Sequence, residues 1–526
     1  MRRAFLVVSF TILVINGILT YINWKFSLLF LILIPLILMG LFDMYQSIHT
    51  IRRNFPLVGR LRYLLGSIGP EIRQYFIETD TDGKPFNRLQ RNMVYSRSKK
   101  ESDMEPFGTQ KNTYESGYEW INHSIRAITF QDMNPKPLVR IGSSNCSKPY
   151  MASMFNISAM SYGSLSKNAI IALNEGAKKG GFYHNTGEGG LSPYHLLGGD
   201  VVWNIGTGYF SCRKFDGTFC PDEFEKRAIL DEVKMIEIKF SQGAKPGHGG
   251  ILPKEKVTDE IAAIRLVNKG HDIISPPTHS AFTTPLELID FIKLLRERSG
   301  GKPIGIKICI GNKAEFISIC KAMVATQTYL DFITVDGGEG GTGAAPPEYS
   351  DHVGMPLRDA LAFVHDCLKG YGIKEQIKVI ASGKVISGFD IIRNLSIGAD
   401  LCNSARGMMF ALGCIQALEC HTNTCPTGVA TQNPRLMKGL VPEDKSTRVT
   451  RYQYETVKSA VDLMASAGLD HPDKVDRSVV STRINPIMIQ TFEEIYPELD
   501  RGCLLNEATV PDYLKVFWLK ASIEKF

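Results

Sequence analysis

Apolar positions follow different rhythms in successive parts of the chain, and each rhythm predicts a different kind of element. Residues 4–22 and 26–42 are two apolar runs almost free of charge, parted by Asn23-Trp24-Lys25. Each is about long enough to cross a bilayer core of roughly 30 Å, which predicts a transmembrane helical hairpin over residues 1–42. Arg2 and Arg3 precede the first run, Arg52, Arg53, Arg60 and Arg62 follow the second, and only Lys25 lies between. The bias of basic residues toward the inner side then puts both ends, and the domain that follows, in the cytoplasm, with Trp24 at the far interface. A cleaved signal peptide is the rival reading, but no small-x-small cleavage site follows the first run and a second apolar run comes at once. An uncleaved single anchor is the other alternative.

From 43 to 78 the rhythm becomes helical: Ile51, Phe55, Val58, Leu61, Leu64 and Leu65 recur among arginines, interrupted by Pro56 and Gly59. This predicts an interfacial helix, or a helix packed on the main domain. From 79 to 150 the chain turns polar and rich in Gly and Pro, as expected of extended segments wrapping the next domain.

Beyond residue 156 short apolar runs end in Gly, Ser or Asp, and most are followed by helix-length segments, a βα rhythm. The runs 155–160, 182–186, 201–205, 235–240, 272–275, 304–309, 332–335, 377–381 and 400–403 are candidate strands. That is one too many for an eightfold barrel, and 201–205 is set aside because no crossover helix fits between it and the preceding loop. An open doubly wound sheet would want a Gly-x-Gly-x-x-Gly turn after its first strand, and none is present. Glycine-rich stretches instead follow many strands, as when βα-loops build one active-site face. After residue 440 the strand rhythm is lost. The expected fold is α/β: a (β/α)8 TIM barrel over 151–440, preceded by the hairpin (1–42) and a juxtamembrane helix with a wrapping leader (43–150), and followed by a helical C-terminal extension (441–526).

Composition changes this picture only slightly. A content of 44% hydrophobic and 22% charged residues is ordinary for a globular enzyme, and the excess apolar character sits at the N-terminus. Its net charge of +6 is mild and lies largely just after the apolar runs, which suits anionic lipid headgroups; no nucleic-acid motif is present. Eleven cysteines without a disulfide-like framework fit a reducing compartment.

Three of those cysteines carry chemistry. Cys414, Cys420 and Cys425 are spaced C-x5-C-x4-C and closed by Pro426, so their thiolates can converge on one iron-sulfur cluster while the proline helps the loop turn and shield the sulfurs. Three ligands favour a [3Fe-4S] centre, or a [4Fe-4S] centre with a distant fourth ligand. Buried or zinc-bound cysteines are the alternative, though zinc sites usually show C-x2-C pairs and a fourth ligand.

Glycine-dense loops follow the late strands: 336–343 with Gly338, Gly341, Thr342 and Gly343; then Ser382, Gly383 and Gly388; then Ala405 and Arg406. Amides freed of side chains approach phosphate oxygens closely, and barrels commonly hold phosphate behind their last two strands, so these loops suit a phosphorylated cofactor; plain tight turns are the alternative. Lys307 lies inside an apolar strand, where an inward charge needs an anionic partner such as a reduced flavin ring; a lysine reaching water at the rim is the other reading. Gln242 and Lys245, with Arg265 downstream, could gather two cations and an amide round a dicarboxylate, and Glu188 at another strand end could relay protons. By themselves these are polar loop residues.

In chain order, Ile157-Ser-Ala-Met160-Ser-Tyr-Gly163, Asn185-Thr-Gly-Glu188-Gly-Gly190, Gln242-Gly-Ala-Lys245-Pro-Gly, Ile274-Ser-Pro-Pro277, Gly340-Gly-Thr-Gly-Ala344 and the cysteine run with its Cys425-Pro-Thr-Gly-Val-Ala-Thr-Gln432 tail resemble the FMN-binding synthase domain of glutamate synthases. The match spans about 156–434. The apolar hairpin and Pro106-Phe-Gly-Thr-Gln110 are similar to the shorter, membrane-anchored branch of that family. The resemblance implies FMN on the loop face with a [3Fe-4S] cluster beside it. It implies an oxidoreductase that joins 2-oxoglutarate and ammonia as 2-iminoglutarate and reduces it to L-glutamate. By that resemblance Gln242, Lys245 and Arg265 hold the oxoacid, and Glu188 handles ammonia or protons. Ala159, Met160 and Ser161 back the flavin, and Lys307 faces its N1-C2=O edge, where negative charge develops on reduction.

The sequence also departs from the family. Full-length glutamate synthases begin with a cysteine amidotransferase domain, whereas this sequence starts Met1-Arg-Arg and enters an apolar run, so ammonia is expected from solution or another chain. The family's acidic residue in the Pro-Gly-Glu-Gly-Gly loop is His248, and its Pro-Pro-Pro-His-His-Asp run becomes Pro276-Pro277-Thr278-His279-Ser280-Ala281. Two other readings follow: the same cofactors acting on a different 2-oxoacid or amine, or a non-catalytic membrane electron relay. With no nicotinamide fingerprint in view, the expected electron donor is ferredoxin or a reductase chain.

Overall fold

A computed structural model describes residues 1–102 and 104–526 and divides into two compact units, Met1–Leu89 and Gln90–Phe526. In the first, helices α1 (Arg2–Ile22) and α2 (Phe30–Tyr45) are joined by the 3-10 turn Trp24–Leu29. Asn23 ends α1 in an extended conformation and its side chain accepts from the Lys25 N–H. Arg2–Ile22 and Trp24–Tyr45 are long and apolar enough to cross a membrane by length and composition. The helices touch at Gly40, where a Cβ would lie 2.1 Å from the Phe5 ring. At the foot of α2 the buried Asp43 accepts from Arg60 Nε and Nη2 at 2.8–3.0 Å and from the Leu57 N–H at 3.2 Å. These bonds tie the helix Val58–Ser67 to the end of α2, and that helix leaves Leu61, Leu64 and Leu65 exposed.

The second unit is built on a closed barrel of eight parallel strands. They are β1 (Phe155–Ile157), β2 (His184–Asn185), β3 (Val201–Ile205), β4 (Val233–Lys239), β5 (Ile304–Ile308), β6 (Phe332–Asp336), β7 (Lys378–Ser382) and β8 (Leu401–Ser404), with β8 closing onto β1. Two strand expectations are corrected. The run 201–205, set aside for want of a crossover helix, is β3, fully buried and paired with β4 from Val201↔Val233 to Ile205↔Ile238. Parallel neighbours need only enough chain to return to the same end; residues 186–200 do so with the 3-10 turn Pro193–His195 in place of a helix. The run 272–275 lies outside the barrel, where Ile273–Ile274 pairs antiparallel with Ile251–Leu252 in the excursion between β4 and β5.

Outside the barrel, α3 (Lys167–Gly180) starts at Ser166, whose side chain accepts from the Ala169 N–H, and stops at Gly181 with φ +71. The short helix α4 (Asp259–Arg265) lies in the β4–β5 excursion, with Thr258 capping it. In the C-terminal part α5 (Pro442–Ser466) buries Val449, Tyr452, Val457, Ala460, Val461 and Met464. It packs on α3 so closely that a Cβ at Gly176 would come within 2.9 Å of Val449. The C-terminal part is mainly helical but also holds the hairpin Val480–Asn485 and Met488–Thr491, which adds Glu119–Ile121 as a third strand.

Candidate functional site

Every segment singled out for chemistry on the barrel follows, or lies within, the C-terminal end of a strand, so one face collects them. At its centre is a charge cluster. The Glu188 carboxylate stands 3.0 Å from Lys239 Nζ, with Lys245 and Arg265 also acting on it. Burial alone would raise the Glu188 pKa; Lys239 first, then Lys245 and Arg265, outweigh that and hold it below the ordinary carboxylate value. Glycines let the group pack this tightly: a Cβ at Gly250 would lie 2.4 Å from Glu188 Oε1, and one at Gly206 2.8 Å from its Cβ.

Arg265, on α4, reaches into the cluster between glycines. A Cβ at Gly189 or Gly163 would fall 2.9 or 3.1 Å from its Nη2. Its guanidinium carbon sits 5.0 Å from the Phe210 ring centroid, Nη2 donates to the Tyr162 carbonyl at 3.0 Å, and Nε is buried without a hydrogen-bond partner among the described residues. Burial pushes its pKa down to about 10, which leaves it cationic at neutral pH. Burial also lowers the Lys245 pKa, against the attraction of Glu188. Gln242 bridges two loops: its Oε1 accepts from Lys239 Nζ at 2.7 Å and its Nε2 donates to Thr342 Oγ1 at 3.2 Å.

The barrel interior answers the question posed by Lys307. Its Nζ lies 3.3 Å from the Asp336 carboxylate, so the protein supplies an anion of its own. Burial would lower the Lys307 pKa, but Asp336 and then Glu237 outweigh it and hold the pKa above the ordinary lysine value. Glu237 is itself buried and accepts from Asn185, Asn204 and Thr334 at 2.6–2.7 Å. Asp336 also accepts from the Gly243 N–H at 3.0 Å, which joins the loop after β4 to the loop after β6.

The glycine loops divide by role. A Cβ at Gly243 would sit 1.6 Å from the Gly337 carbonyl oxygen, one at Gly338 2.9 Å from the Gly354 carbonyl oxygen, and one at Gly341 2.9 Å from Arg406 Nε. Gly343 faces open space, and 341–343 are exposed. Arg406 Nη2 donates to the Glu339 carbonyl at 2.7 Å, and burial pushes its pKa down to about 10. Ser382 and Gly383 follow one another at the end of β7, Ser382 Oγ lying 3.3 Å from Ser158 Oγ, while Ala405 links β8 to the helix of Arg406. Met160 is buried, Ala159 and Ser161 are half-buried, and Ser161 Oγ donates to Ser164 Oγ at 2.9 Å. Gly388 stands apart: it opens the helix Gly388–Ile397 and meets α5, where a Cβ would lie 2.6 Å from the Ala460 nitrogen.

Cys414, Cys420 and Cys425 are free thiols, near enough for each to act electrostatically on its neighbours. Burial pushes Cys414 up to about 12 and raises Cys420. Among the described residues no three His, Cys, Asp or Glu side chains gather tightly enough for a single metal ion. Their loop is stitched to the segment after Ser161. Gln432 Nε2 donates to the Gly163 and Leu165 carbonyls at 3.0 and 2.8 Å, and the Tyr95 hydroxyl donates to the Cys414 carbonyl at 2.7 Å.

Two residues of the site went unread in the sequence. Lys239 and Glu237 alternate with Ile236 and Ile238 in β4, and charges at every second position of an apolar strand are the signal that both point into the barrel. His279 is buried, with Nε2 2.9 Å from the Lys239 carbonyl and Nδ1 3.0 Å from the Tyr209 hydroxyl; burial lowers its pKa to about 4. The departure His248 lies half-buried at the rim, its ring 5.2 Å from that of Tyr349.

Residues 91–470 match a family model described as a conserved region in glutamate synthase. A Bacillus subtilis (strain 168) protein named glutamate synthase large subunit-like protein YerD is 39% identical over 485 residues, covering 84% of this chain and 92% of that protein. An archaeal glutamate synthase (NADPH) of Methanocaldococcus jannaschii is 36% identical over 316 residues, 60% of this chain and 59% of the archaeal protein. Among solved structures, a mandelate oxidase has a TM-score of 0.41 at 13% identity, covering 71% of this chain and 86% of that chain.

Proposed function

The chain belongs to the glutamate synthase family of oxidoreductases, and from that premise we propose that it is a membrane-anchored FMN and iron-sulfur enzyme that makes L-glutamate from 2-oxoglutarate and ammonia. The observation that carries the substrate is the charge balance at the mouth of the barrel. Lys239, Lys245 and Arg265 face the single carboxylate of Glu188, which leaves two positive charges for the two carboxylates of a 2-oxo-dicarboxylic acid. Arg265, with an unpartnered Nε, suits a planar carboxylate, and Lys245 and the Gln242 amide stand ready for the second carboxylate and the oxo group.

Glu188 stays ionised beside these cations, so it attracts ammonium and accepts its N–H bonds. Ammonia adds to the 2-oxo carbon, water leaves, and 2-iminoglutarate results; one hydride and one proton then give L-glutamate. When bound, FMN supplies that hydride and the cluster supplies single electrons. Residues fit both groups. Gly338, Gly341, Thr342, Gly343, Ser382, Gly383, Ala405 and Arg406 would hold the FMN phosphate, since the loop 341–343 is open and Arg406 lies beside it. Lys307, already neutralised by Asp336, would face the flavin edge, with Ala159, Met160 and Ser161 behind the ring. Gly388 packs on α5 and would serve the phosphate loop only by fixing the helix behind it. Cys414, Cys420 and Cys425, three thiols on one loop, would ligate the cluster.

Electrons would come from ferredoxin or a reductase chain. The helices α1 and α2 support a two-pass anchor with the barrel in the cytoplasm. The test is anaerobic turnover: purified chain with reduced flavin, 2-oxoglutarate and ammonium is expected to yield L-glutamate. No glutamate above a flavin-free control, with flavin bound, rejects the substrate reading.

A further inference from the structure

Resting on the iron-sulfur reading above, we propose that Lys256 is the buried counter-ion of the cluster and raises its reduction potential. Lys256 closes the turn Lys254–Lys256 just before α4 and is only 2% exposed. Its three N–H groups go to the Cys420 carbonyl at 2.7 Å, the Ala430 carbonyl at 2.9 Å and the Ser164 carbonyl at 3.2 Å. Neutral carbonyls satisfy the hydrogens without cancelling the charge, and a buried ammonium stripped of water needs an anion nearby.

Four other buried cations in the barrel unit are ion-paired: Lys307 with Asp336, Lys239 with Glu188, Arg296 with Asp331 and Arg477 with Asp366. The buried Arg91 acts on Cys414, so a second cation lies near the same cysteine loop. Lys302, also bonded only to carbonyls, has Asp231 and Glu232 within electrostatic reach. The groups that attract Lys256 are instead the thiols of Cys420 and Cys425. A lysine buried beside two cysteines, with no carboxylate in ion-pair range among the described residues, is satisfied once those sulfurs are ligated thiolates. One-electron reduction adds a negative charge to that assembly, and a fixed cation in a low-dielectric site favours the reduced state. The same ammonium clamps Cys420 and Ala430 to Ser164, three residues past Ser161, so it also binds the cysteine loop to the segment proposed to back the flavin.

The experiment is a dithionite titration of the full chain followed by electron paramagnetic resonance, with iron and flavin content measured in parallel, on wild type, Lys256→Met, Lys256→Gln and Lys256→Arg. With the charge removed the potential is expected to fall by at least tenfold in the one-electron reduction equilibrium, about 59 mV, and to stay near wild type in Lys256→Arg. Loss of iron from both neutral variants, with flavin content and Tm unchanged and iron kept in Lys256→Arg, equally supports the proposal. An unchanged potential in an iron-loaded neutral variant overturns it. Should neither neutral variant fold, Lys256→Arg decides: a cluster at the wild-type potential supports the proposal, and a shift of tenfold or more, or loss of iron, overturns it. Wild type that takes up no iron rejects the cluster reading itself, which separates that failure from this one.

Discussion

Lys239 Nζ lies 3.0 Å from the Glu188 carboxylate, and the same ammonium donates to Gln242 at 2.7 Å, so one side chain sets both the charge of the acid and the orientation of the amide. Lys239→Met removes both effects. The Glu188 pKa is expected to rise, because burial then acts with less opposition. The acid limb of the pH profile for 2-oxoglutarate turnover should move upward, and kcat/KM at pH 7 should fall roughly 10–100-fold, the equivalent of one lost charge-assisted hydrogen bond. An unmoved acid limb would show that Glu188 does not govern it.

Arg265 differs from Lys245 in being a fork rather than a point charge. Arg265→Lys keeps the cation but loses bidentate geometry and its place over Phe210. The KM for 2-oxoglutarate should rise roughly tenfold or more with flavin content unchanged, as titration of the oxoacid against the bound flavin spectrum would show.

Gly243 and Gly337 are in backbone contact, and no Cβ fits at 1.6 Å from a carbonyl oxygen. Gly243→Ala should drive apart the loops after β4 and β6, break the Gly243–Asp336 hydrogen bond and lower stability by roughly 1–3 kcal/mol. Flavin content and Tm, measured together, test this; a variant that keeps both would place the two loops differently.

Three histidines, His184, His195 and His279, are buried with pKa values pushed down by desolvation, to about 3 for His195 and about 4 for His279. Each is neutral in the folded chain and takes up a proton on unfolding once the pH is below the ordinary value of about 6.5. The unfolded state then binds more protons, so stability rises with pH through this window. It should be intact above pH 7 and fall between pH 6.5 and 4 by up to about 1.4 kcal/mol per pH unit for each histidine. Urea midpoints taken from pH 7.5 to 5 check the slope; a flat profile contradicts the burial of these rings.

Cys425 is the most buried of the three loop cysteines. Cys425→Ser should abolish iron uptake while flavin binding persists, because the glycine loops 336–343 and 382–383 that would hold the phosphate contain none of the three cysteines. Elemental iron and the flavin absorbance of one preparation suffice; retained iron would remove Cys425 from the ligand set.

The parts of this protein readable in order along the chain were those whose signal is local. A helix reports itself by a run or a period, so the apolar hairpin and the helical character after residue 440 were legible. Seven of the barrel strands were legible because short apolar runs ending in glycine or a polar residue carry their own punctuation. The glycine loops and the C-x5-C-x4-C run could be located for the same reason. β3 failed that test: its return path lacks a helix, and only closure of the barrel gives it neighbours on both sides.

What tertiary structure decided is which charges meet. Glu188 and Lys239 are separated by two strands in the chain, Lys307 and Asp336 by a strand and a helix, and Gly388 meets α5 from far along the sequence. No local pattern encodes such pairs, because strand order and register choose the neighbours, and burial then fixes the strength and sign of what they do to one another. The sequence by itself determined most of the elements, the fold family and the chemical types on offer, but not β3, the place of 272–275 outside the barrel or the hairpin after α5. Closure of the barrel determined that three cations surround one carboxylate, and that a lysine is buried against two cysteines.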